Sequence, residues 1–306
     1  MTHCILIGAP VDSGQRRPGC LMGPAAYRVA GLATTLEALG HTVEDRGDVA
    51  PQALVTAAHD NPAVRNLPET IAWTQALAGA ATAAMGQGMP VFMGGDHSLS
   101  LGTVAGVAAH AAAVGRPLFV LWLDAHSDIH SLATTRSGNL HGTPLGYISG
   151  RSGFDPFPPF TAAVPERNIC LFGIRSVDPE EHAILAGTEI EIVDMRVLDE
   201  CGVAAPLRGF LDRVRGADGM LHVSLDVDFM DPSIAPAVGT TVPGGTTFRE
   251  AHLVMELLHE SGLVTSLDLV ELNPFLDERG RTARLMVELV GSLMGRKVFD
   301  RPTRAG

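Results

Sequence analysis

The length, composition and charge of the chain limit what the protein can be. Its 306 residues, 46% of them hydrophobic, are enough for one large core, and an α/β domain of this size need not be divided. The formal charge of −12, with only 22 lysines and arginines and no basic run, lacks the electrostatic pattern of a nucleic-acid binder, so no nucleic-acid partner is expected.

Short β-rich runs alternate with longer helical segments, which is the order that crossover units impose on a parallel sheet. Thr247 and Glu250 have the spacing of a capping box, which predicts a helix start there. The sequence predicts a single three-layer α/β/α domain over 1–306 with a mainly parallel sheet of roughly eight strands. Strands are predicted at 5–7, 42–45, 91–93, 118–123, 168–173, 189–194, 220–225 and 264–272, and helices at 24–39, 68–86, 248–260 and 282–294.

The cysteines and the N-terminal segment indicate the compartment. Cys4, Cys20, Cys170 and Cys201 are scattered without a close pair, which is typical of reduced thiols and not of a disulfide framework or a zinc knuckle. The first ten residues carry no basic segment before a long apolar one, and no apolar stretch reaches membrane-spanning length. A cytoplasmic protein without a membrane partner is expected.

Three of the predicted strands run directly into side chains that can bind metal ions. In a strand, alternate residues project to the same face, so ligands spaced by two can converge on one ion. Open parallel sheets collect their active sites at the carboxyl ends of the strands, so the three groups are expected to form one site. The groups are Asp96 and His97 after 91–93, Asp124, His126 and Asp128 after 118–123, and Asp226 and Asp228 after 220–225.

Each group also has an ordinary interpretation. Acidic residues after a strand often form a turn or cap a helix, and paired glycines often make a turn. The group from Asp124 to Asp128 is harder to explain in this way, because charged ligands at the end of a central strand are costly without a cation. Six ligands, the set without Asp96, exceed what one tetrahedral zinc needs, and their four carboxylates favour two manganese ions. The predicted metal ligands are His97, Asp124, His126, Asp128, Asp226 and Asp228.

These motifs resemble those of the arginase-type ureohydrolases, and the likeness extends from the first strand almost to the C-terminus. Segments 94–97, 124–128 and 224–231 stand in the order and approximate spacing of that family's three signatures. The resemblance implies two manganese ions per chain, bridged by Asp124 and Asp226. It implies that one ion is held by His97, Asp124, Asp128 and Asp226, and the other by Asp124, His126, Asp226 and Asp228.

The resemblance also implies the catalytic residues. It places a proton-handling histidine at His141, within 137–142, and a guanidinium-facing carboxylate at Glu271. A guanidinium carbon is a poor electrophile because its charge is delocalised, and two cations sharing a water molecule supply a strong nucleophile near neutral pH. Asp128 is expected to steer that nucleophile, Glu271 to pair with the guanidinium, and His141 to give the leaving amine its proton. The ordinary interpretation of Glu271 is a strand-end salt bridge.

Substrate choice depends on the other end of the ligand. Ser137 and Asn139 offer donors for a carboxylate, and Asp178 and Glu181 offer acids for an α-ammonium group, although such residues also serve turns and helix starts. In the arginase branch of the family these positions read the amino-acid head group. The resemblance therefore implies L-arginine as substrate and L-ornithine and urea as products, with Thr240 also in the substrate-binding set.

One residue departs from the family's pattern. Arginases commonly have asparagine two residues after the last ligand of the central motif, and this chain has His130. An imidazole N–H can replace an amide N–H as a donor, so His130 is expected to hold the substrate's α-carboxylate near Ser137 and Asn139. The alternative is a solvent-facing loop histidine.

Other functions remain open from the sequence. The nearest is another ureohydrolase that acts on agmatine or a guanidino acid, and a substrate panel separates it from an arginase. A metal-dependent amide deacetylase shares the broad fold but uses one zinc and fewer carboxylates. A non-catalytic regulator has no chemical need for the six ligands, His141 and Glu271. The resemblance also implies a homo-oligomer, either a trimer or a hexamer.

Overall fold

The computed structural model describes residues 1–51, 53–54, 56–160 and 162–297. The strands are β1 His3–Ala9, β2 Thr42–Asp48, β3 Met89–Gly94, β4 Leu118–Leu123, β5 Ile169–Ile174, β6 Glu191–Asp194, β7 Met220–Asp226 and β8 Val264–Val270. They form one eight-stranded sheet in the order β2-β1-β3-β8-β7-β4-β5-β6, and each neighbouring pair is parallel. The α-helices are α1 Gly23–Val29, α2 Leu32–Ala38, α3 Leu67–Met85, α4 Ser100–Ala113, α5 Pro144–Ile148, α6 Pro179–Leu185, α7 Met195–Cys201, α8 Ala204–Gly216, α9 Phe248–Ser261 and α10 Arg281–Leu293.

The central strands of the sheet are buried on both faces, as crossover connections require of parallel strands. Along β4, Phe119 and Leu121 point into one hydrophobic core, while Val120 and Trp122 point into the other. The first core is covered by α1, α2 and α7 to α10, and the second by α3 to α6. The predicted three-layer α/β/α fold with a sheet of roughly eight strands is confirmed.

The local details differ from the prediction in several places, and α5, α7 and α8 are among the helices that were not predicted. The prediction of a single helix at 24–39 is wrong, because the segment divides into α1 and α2 at Gly31. Gly31 has a left-handed φ of 85° and is the N-cap of α2. Helix α4 was not predicted, because it is buried on most of its surface and lacks the polar face that makes a helix visible in sequence.

The capping box at the start of α9 is confirmed. The Glu250 N–H donates to the Thr247 hydroxyl at 3.3 Å, and the Thr247 N–H donates to Glu250 Oε2 at 2.8 Å. Throughout the described part of the chain, the helices all fall short of the length and apolar content needed to cross a bilayer.

Candidate metal centre and active site

The four central strands, β3, β8, β7 and β4, deliver the predicted site residues to one end of the sheet. His97 lies in a 3₁₀ turn after β3, Asp124 follows β4, Asp226 ends β7, and Glu271 follows β8. The carboxyl ends of these parallel strands, with the loops beyond them, enclose a cavity of about 230 Å³. The predicted residues that line it are His97, Asp124, His126, Asp128, His130, His141, Asp178, Glu181, Asp226, Thr240 and Glu271.

His97 stands at the centre of the first group of ligand atoms. Its Nδ1 lies 3.0 Å from Asp124 Oδ2, 3.0 Å from Asp128 Oδ2 and 3.1 Å from Asp226 Oδ2. One ring nitrogen carries at most one proton, so it cannot satisfy three carboxylates by hydrogen bonding, and both Nδ1 and Asp124 Oδ2 are buried without a hydrogen-bond partner. These atoms converge as ligands do around a cation.

Two residues outside the ligand set fix the His97 ring. Its Nε2 lies 2.8 Å from the Ser224 hydroxyl, which leaves Nδ1 facing the carboxylates. The ring stacks on the buried indole of Trp122, with centroids 4.1 Å apart and planes within 4°. Sequence reasoning assigned neither residue a role, although their positions on β7 and β4 were predicted. Only the sheet order, which makes those strands neighbours, brings both side chains to His97.

A second group of ligand atoms surrounds His126. Its Nδ1 is 3.0 Å from Asp228 Oδ2 and 3.5 Å from Asp124 Oδ1. The other oxygen of Asp228 accepts a hydrogen bond from the Ala125 N–H at 3.0 Å, which aims Oδ2 toward the histidine. Asp124 belongs to both groups, with one oxygen facing each, and therefore stands where a carboxylate shared by two ions would stand.

The chain reaches this arrangement by a turn and not by continued strand alternation, which corrects the expectation for 124–128. Strand β4 ends at Leu123, and the His126 N–H donates to Asp124 Oδ1 at 2.6 Å. Asp128 has a left-handed φ of 48°, which a short polar side chain tolerates better than a branched one. The turn brings Asp128 Oδ2 to 3.0 Å from His97 Nδ1.

The carboxylates repel one another in this buried space. Burial, together with Asp228 and Asp124, raises the pKa of Asp226 well above its usual range, and burial with Asp124 raises the pKa of Asp128 to about 6. Burial also raises the pKa of Asp124, but hydrogen bonds with His126 and His97 outweigh it and lower that pKa overall. A divalent cation among these groups would relieve the repulsion, so the donor set fits a metal centre.

His141 and Glu271 form a pair beside the metal-binding groups. His141 Nδ1 lies 2.8 Å from Glu271 Oε1, which also accepts the His97 N–H at 2.8 Å. Glu271 has a left-handed φ of 64°, held by its own N–H donating to the Gly95 carbonyl at 2.8 Å. Burial lowers the pKa of His141, but the Glu271 charge and hydrogen bond outweigh it and raise the pKa to about 9.

The predicted head-group acids occupy the start of α6. Asp178 Oδ1 accepts the Glu181 N–H at 2.9 Å, and Glu181 Oε2 accepts the Asp178 N–H at 2.9 Å, which together make a capping box. Glu181 Oε1 accepts from the Ser127 hydroxyl at 2.7 Å. Both acids therefore cap the start of α6, as their ordinary interpretation predicts, and both also line the cavity.

His130 has a different partner from the one expected. Its Nε2 lies 3.1 Å from Asp178 Oδ2, and its Nδ1 lies 3.0 Å from the Thr134 hydroxyl. Both ring nitrogens are engaged by protein groups, so neither stands free for a substrate carboxylate. The alternative of a solvent-facing histidine is wrong, because the residue is 9% exposed.

The remaining predicted residues divide between the cavity and its surroundings. Thr240 lines the cavity and donates its hydroxyl to Asp228 Oδ2 at 3.3 Å. Ser137, Asn139 and Asp228 do not line it: Ser137 is exposed, and its hydroxyl accepts the Asn139 N–H at 3.2 Å. Sequence reasoning missed two lining residues, Ser176 and Gly142. Neither residue type signals a site, and only the folding of their loops brings them there.

Comparisons with known proteins cover the whole of this site. A family profile described as Arginase family matches residues 2–295. The chain is 60% identical to the arginase of Agrobacterium fabrum over 303 residues, which is 99% of this chain and 94% of that protein. It is 59% identical to the arginase of Brucella melitensis over 302 residues, or 98% and 99% of the two chains.

A solved structure shows the same architecture. The native structure of arginase from Bacillus caldovelox at pH 5.6 matches with a TM-score of 0.89 and 38% identity, over 98% of this chain and 100% of that chain. Every residue that lines the cavity lies inside the range that the family profile matches.

Proposed function

This chain belongs to the arginase family, and on that premise we propose that it hydrolyses the guanidinium group of L-arginine to L-ornithine and urea with two manganese ions in the cavity. The convergence of three carboxylate oxygens within 3.1 Å of His97 Nδ1 is the observation that carries the metal assignment. The full-length likeness to proteins named arginase supports the substrate.

The two groups of ligand atoms fit the two ions. The first would be held by His97, Asp124, Asp128 and Asp226. The second would be held by Asp124, His126 and Asp228, to which the family's pattern adds Asp226. Bound divalent cations supply what side chains cannot, since they lower the pKa of water far enough for it to attack a delocalised guanidinium carbon near neutral pH. Oxygen-rich ligation with some imidazole supports manganese over zinc.

The side chains around the metal centre orient the guanidinium and handle protons. Glu271 Oε1 is occupied by His97 and His141, which leaves Oε2 to accept hydrogen bonds from the guanidinium. Among the described residues, the hydrogen bond found at Oε2 comes from the Cys20 thiol at 3.9 Å. His141, held protonated at neutral pH by Glu271, would deliver the proton that the leaving amine needs. Asp128, beside His97, would accept a hydrogen bond from the attacking water and direct it.

The head group of the substrate would extend toward α6. Asp178 and Glu181 would receive the α-ammonium group, and Thr240 also lines the cavity. Ser137 and Asn139 lie outside the lining and would reach the α-carboxylate only at the rim. Hydrolysis of agmatine or a guanidino acid is the alternative, since both carry the same guanidinium and differ only at this end.

A reconstitution experiment tests the proposed function. The chelated protein should be inactive, and manganese should restore urea release from L-arginine better than zinc, with bound metal approaching two ions per chain. L-arginine should be preferred over agmatine, over a guanidino acid and over an acetylated amide. Full activity with one bound metal would contradict the two-metal centre, and preference for agmatine would assign the alternative.

Replacing Asp178 by alanine should raise the KM for L-arginine by about ten- to a hundredfold, because a hydrogen bond to a charged group contributes on the order of 1.5 to 3 kcal/mol. Bound manganese should not change. Asp194→Ala is a matched control, since Asp194 caps α7 in the same way, accepting the Val197 N–H at 2.8 Å, but does not line the cavity. An equal KM in the Asp178 variant and wild type would show that Asp178 caps the helix and does not bind the substrate.

From the family's pattern we also propose that the chain is a single catalytic domain over 1–306. We propose that it forms a trimer or hexamer and lies in the cytoplasm. Light scattering on the purified protein measures the assembly directly.

A further inference from the structure

The histidine that departs from the family's pattern has a defined place in the hydrogen-bond network around the cavity. Asp178 Oδ2 lies 3.1 Å from His130 Nε2. An ionised carboxylate oxygen only accepts hydrogen bonds, so Nε2 must be the donor whether the ring is neutral or charged. The N–H that was expected to reach a substrate carboxylate is therefore directed at an acid of the head-group pocket.

The other side of the ring is fixed by a turn. His130 Nδ1 lies 3.0 Å from the Thr134 hydroxyl, which also accepts the Ser131 N–H at 2.9 Å. The hydroxyl therefore has its own proton to donate to Nδ1 of a neutral ring, and this assigns the proton to Nε2. The His130 backbone is held as well, because its N–H donates to the Gly142 carbonyl at 3.1 Å.

Asp178 needs such a restraint if it is to receive an ammonium group. Its Oδ1 is held by the Glu181 N–H at 2.9 Å, but the side chain is 38% exposed and could turn about its last bond if only one oxygen were held. Burial raises the pKa of Asp178, yet the backbone hydrogen bond from Glu181 and the neighbouring His130 lower it overall, so the group is a carboxylate at neutral pH.

We propose that His130 is a positioning residue that holds the Asp178 carboxylate in place for the α-ammonium group of the substrate, and that it does not read the α-carboxylate. This assignment rests on the proposed function and specifies how the head group is recognised. In this assignment His130, Asp178 and Glu181 together recognise the ammonium group. Other donors bind the α-carboxylate.

Glutamine and asparagine at position 130 differ in side-chain length, and they distinguish positioning of Asp178 from binding of the α-carboxylate. The glutamine amide extends about as far as Nε2 of histidine, whereas the asparagine amide extends only about as far as Nδ1. His130→Ala should lower kcat/KM for L-arginine by about tenfold, mainly through KM, as expected when one hydrogen bond that organises a charged group is lost. His130→Gln should restore most of that loss, and His130→Asn should not. Restoration by asparagine instead would show that the residue reads the carboxylate.

The substrate itself supplies a second comparison. 5-Guanidinopentanoate is L-arginine without its α-amino group, and agmatine is L-arginine without its carboxylate. The His130→Ala loss should appear with L-arginine and agmatine and be absent with 5-guanidinopentanoate. In an Asp178→Ala background, His130→Ala should cost nothing further, because its effect passes through Asp178. A loss with 5-guanidinopentanoate, or independent losses in the double variant, would overturn the assignment.

Controls separate this assignment from the proposed function. Bound manganese and circular dichroism should be unchanged in every His130 variant, and His182→Gln, an exposed histidine on the same helix as Glu181, should behave as wild type. A wild-type protein that hydrolyses none of the three guanidino substrates would overturn the proposed function and this assignment together. An active wild type with the wrong pattern of variant losses would overturn only the role of His130.

Discussion

Asp226→Asn is expected to lower turnover of L-arginine by roughly a thousandfold or more, since Lewis-acid stabilisation is worth several kcal/mol and each 1.36 kcal/mol is a factor of ten. Asp226 Oδ2 lies 3.1 Å from His97 Nδ1 and the residue is buried, so asparagine would put a neutral amide in place of a ligand carboxylate. Metal per chain should fall when measured by mass spectrometry. Asp199→Asn, at an exposed position on α7, is the matched control and should bind metal normally.

The same substitution should change stability with opposite sign in the metal-free and metal-loaded proteins. Because the pKa of Asp226 is raised in the folded state, the folded metal-free protein binds more protons than the unfolded chain, and its stability falls as pH rises from the unfolded pKa toward the folded one. Asparagine removes that cost, so the chelated variant should melt above chelated wild type at neutral pH. With manganese the order should reverse. The same order in both conditions would mean that Asp226 does not bind the metal.

His141→Asn is expected to lower kcat by on the order of a hundredfold, the lower end of what a general acid contributes. The pKa of His141 is raised to about 9 by Glu271 against the effect of burial, so the ring is protonated at neutral pH and loses its proton as pH rises through that value. The kcat of wild type should therefore decline on the alkaline side as His141 loses its proton, at a pH that the bound cations lower from the value of the metal-free protein. The variant should lack this alkaline decline.

Glu271→Gln provides the complementary measurement. Removing the charge 2.8 Å from Nδ1 should shift the alkaline decline of kcat to lower pH. His110→Asn, on α4 and away from the cavity, is the control and should leave the profile unchanged. An alkaline decline that survives in His141→Asn would show that another group loses the proton.

The sequence predicts where the groups of His and Asp side chains lie, because strand ends are local signals. A buried apolar run followed by acids identifies the end of β4 or β7 without knowledge of the sheet order. The arrangement of those acids is less predictable, since Asp128 reaches His97 only through its left-handed turn. The partner of His130 was also missed, because Asp178 is 48 residues away and comes within reach only through the packing of the loop against α6.

The Trp122 indole stacked on His97 is a fluorescent reporter at the proposed metal site. Trp122 is one of two tryptophans in the chain and stacks 4.1 Å from an imidazole whose charge changes when a proton gives way to a cation. A nearby charged imidazole accepts an electron from excited indole and quenches its emission. With the other tryptophan, Trp73 on α3, replaced by phenylalanine, fluorescence would follow the loading of this ion in real time, without substrate and without an added dye.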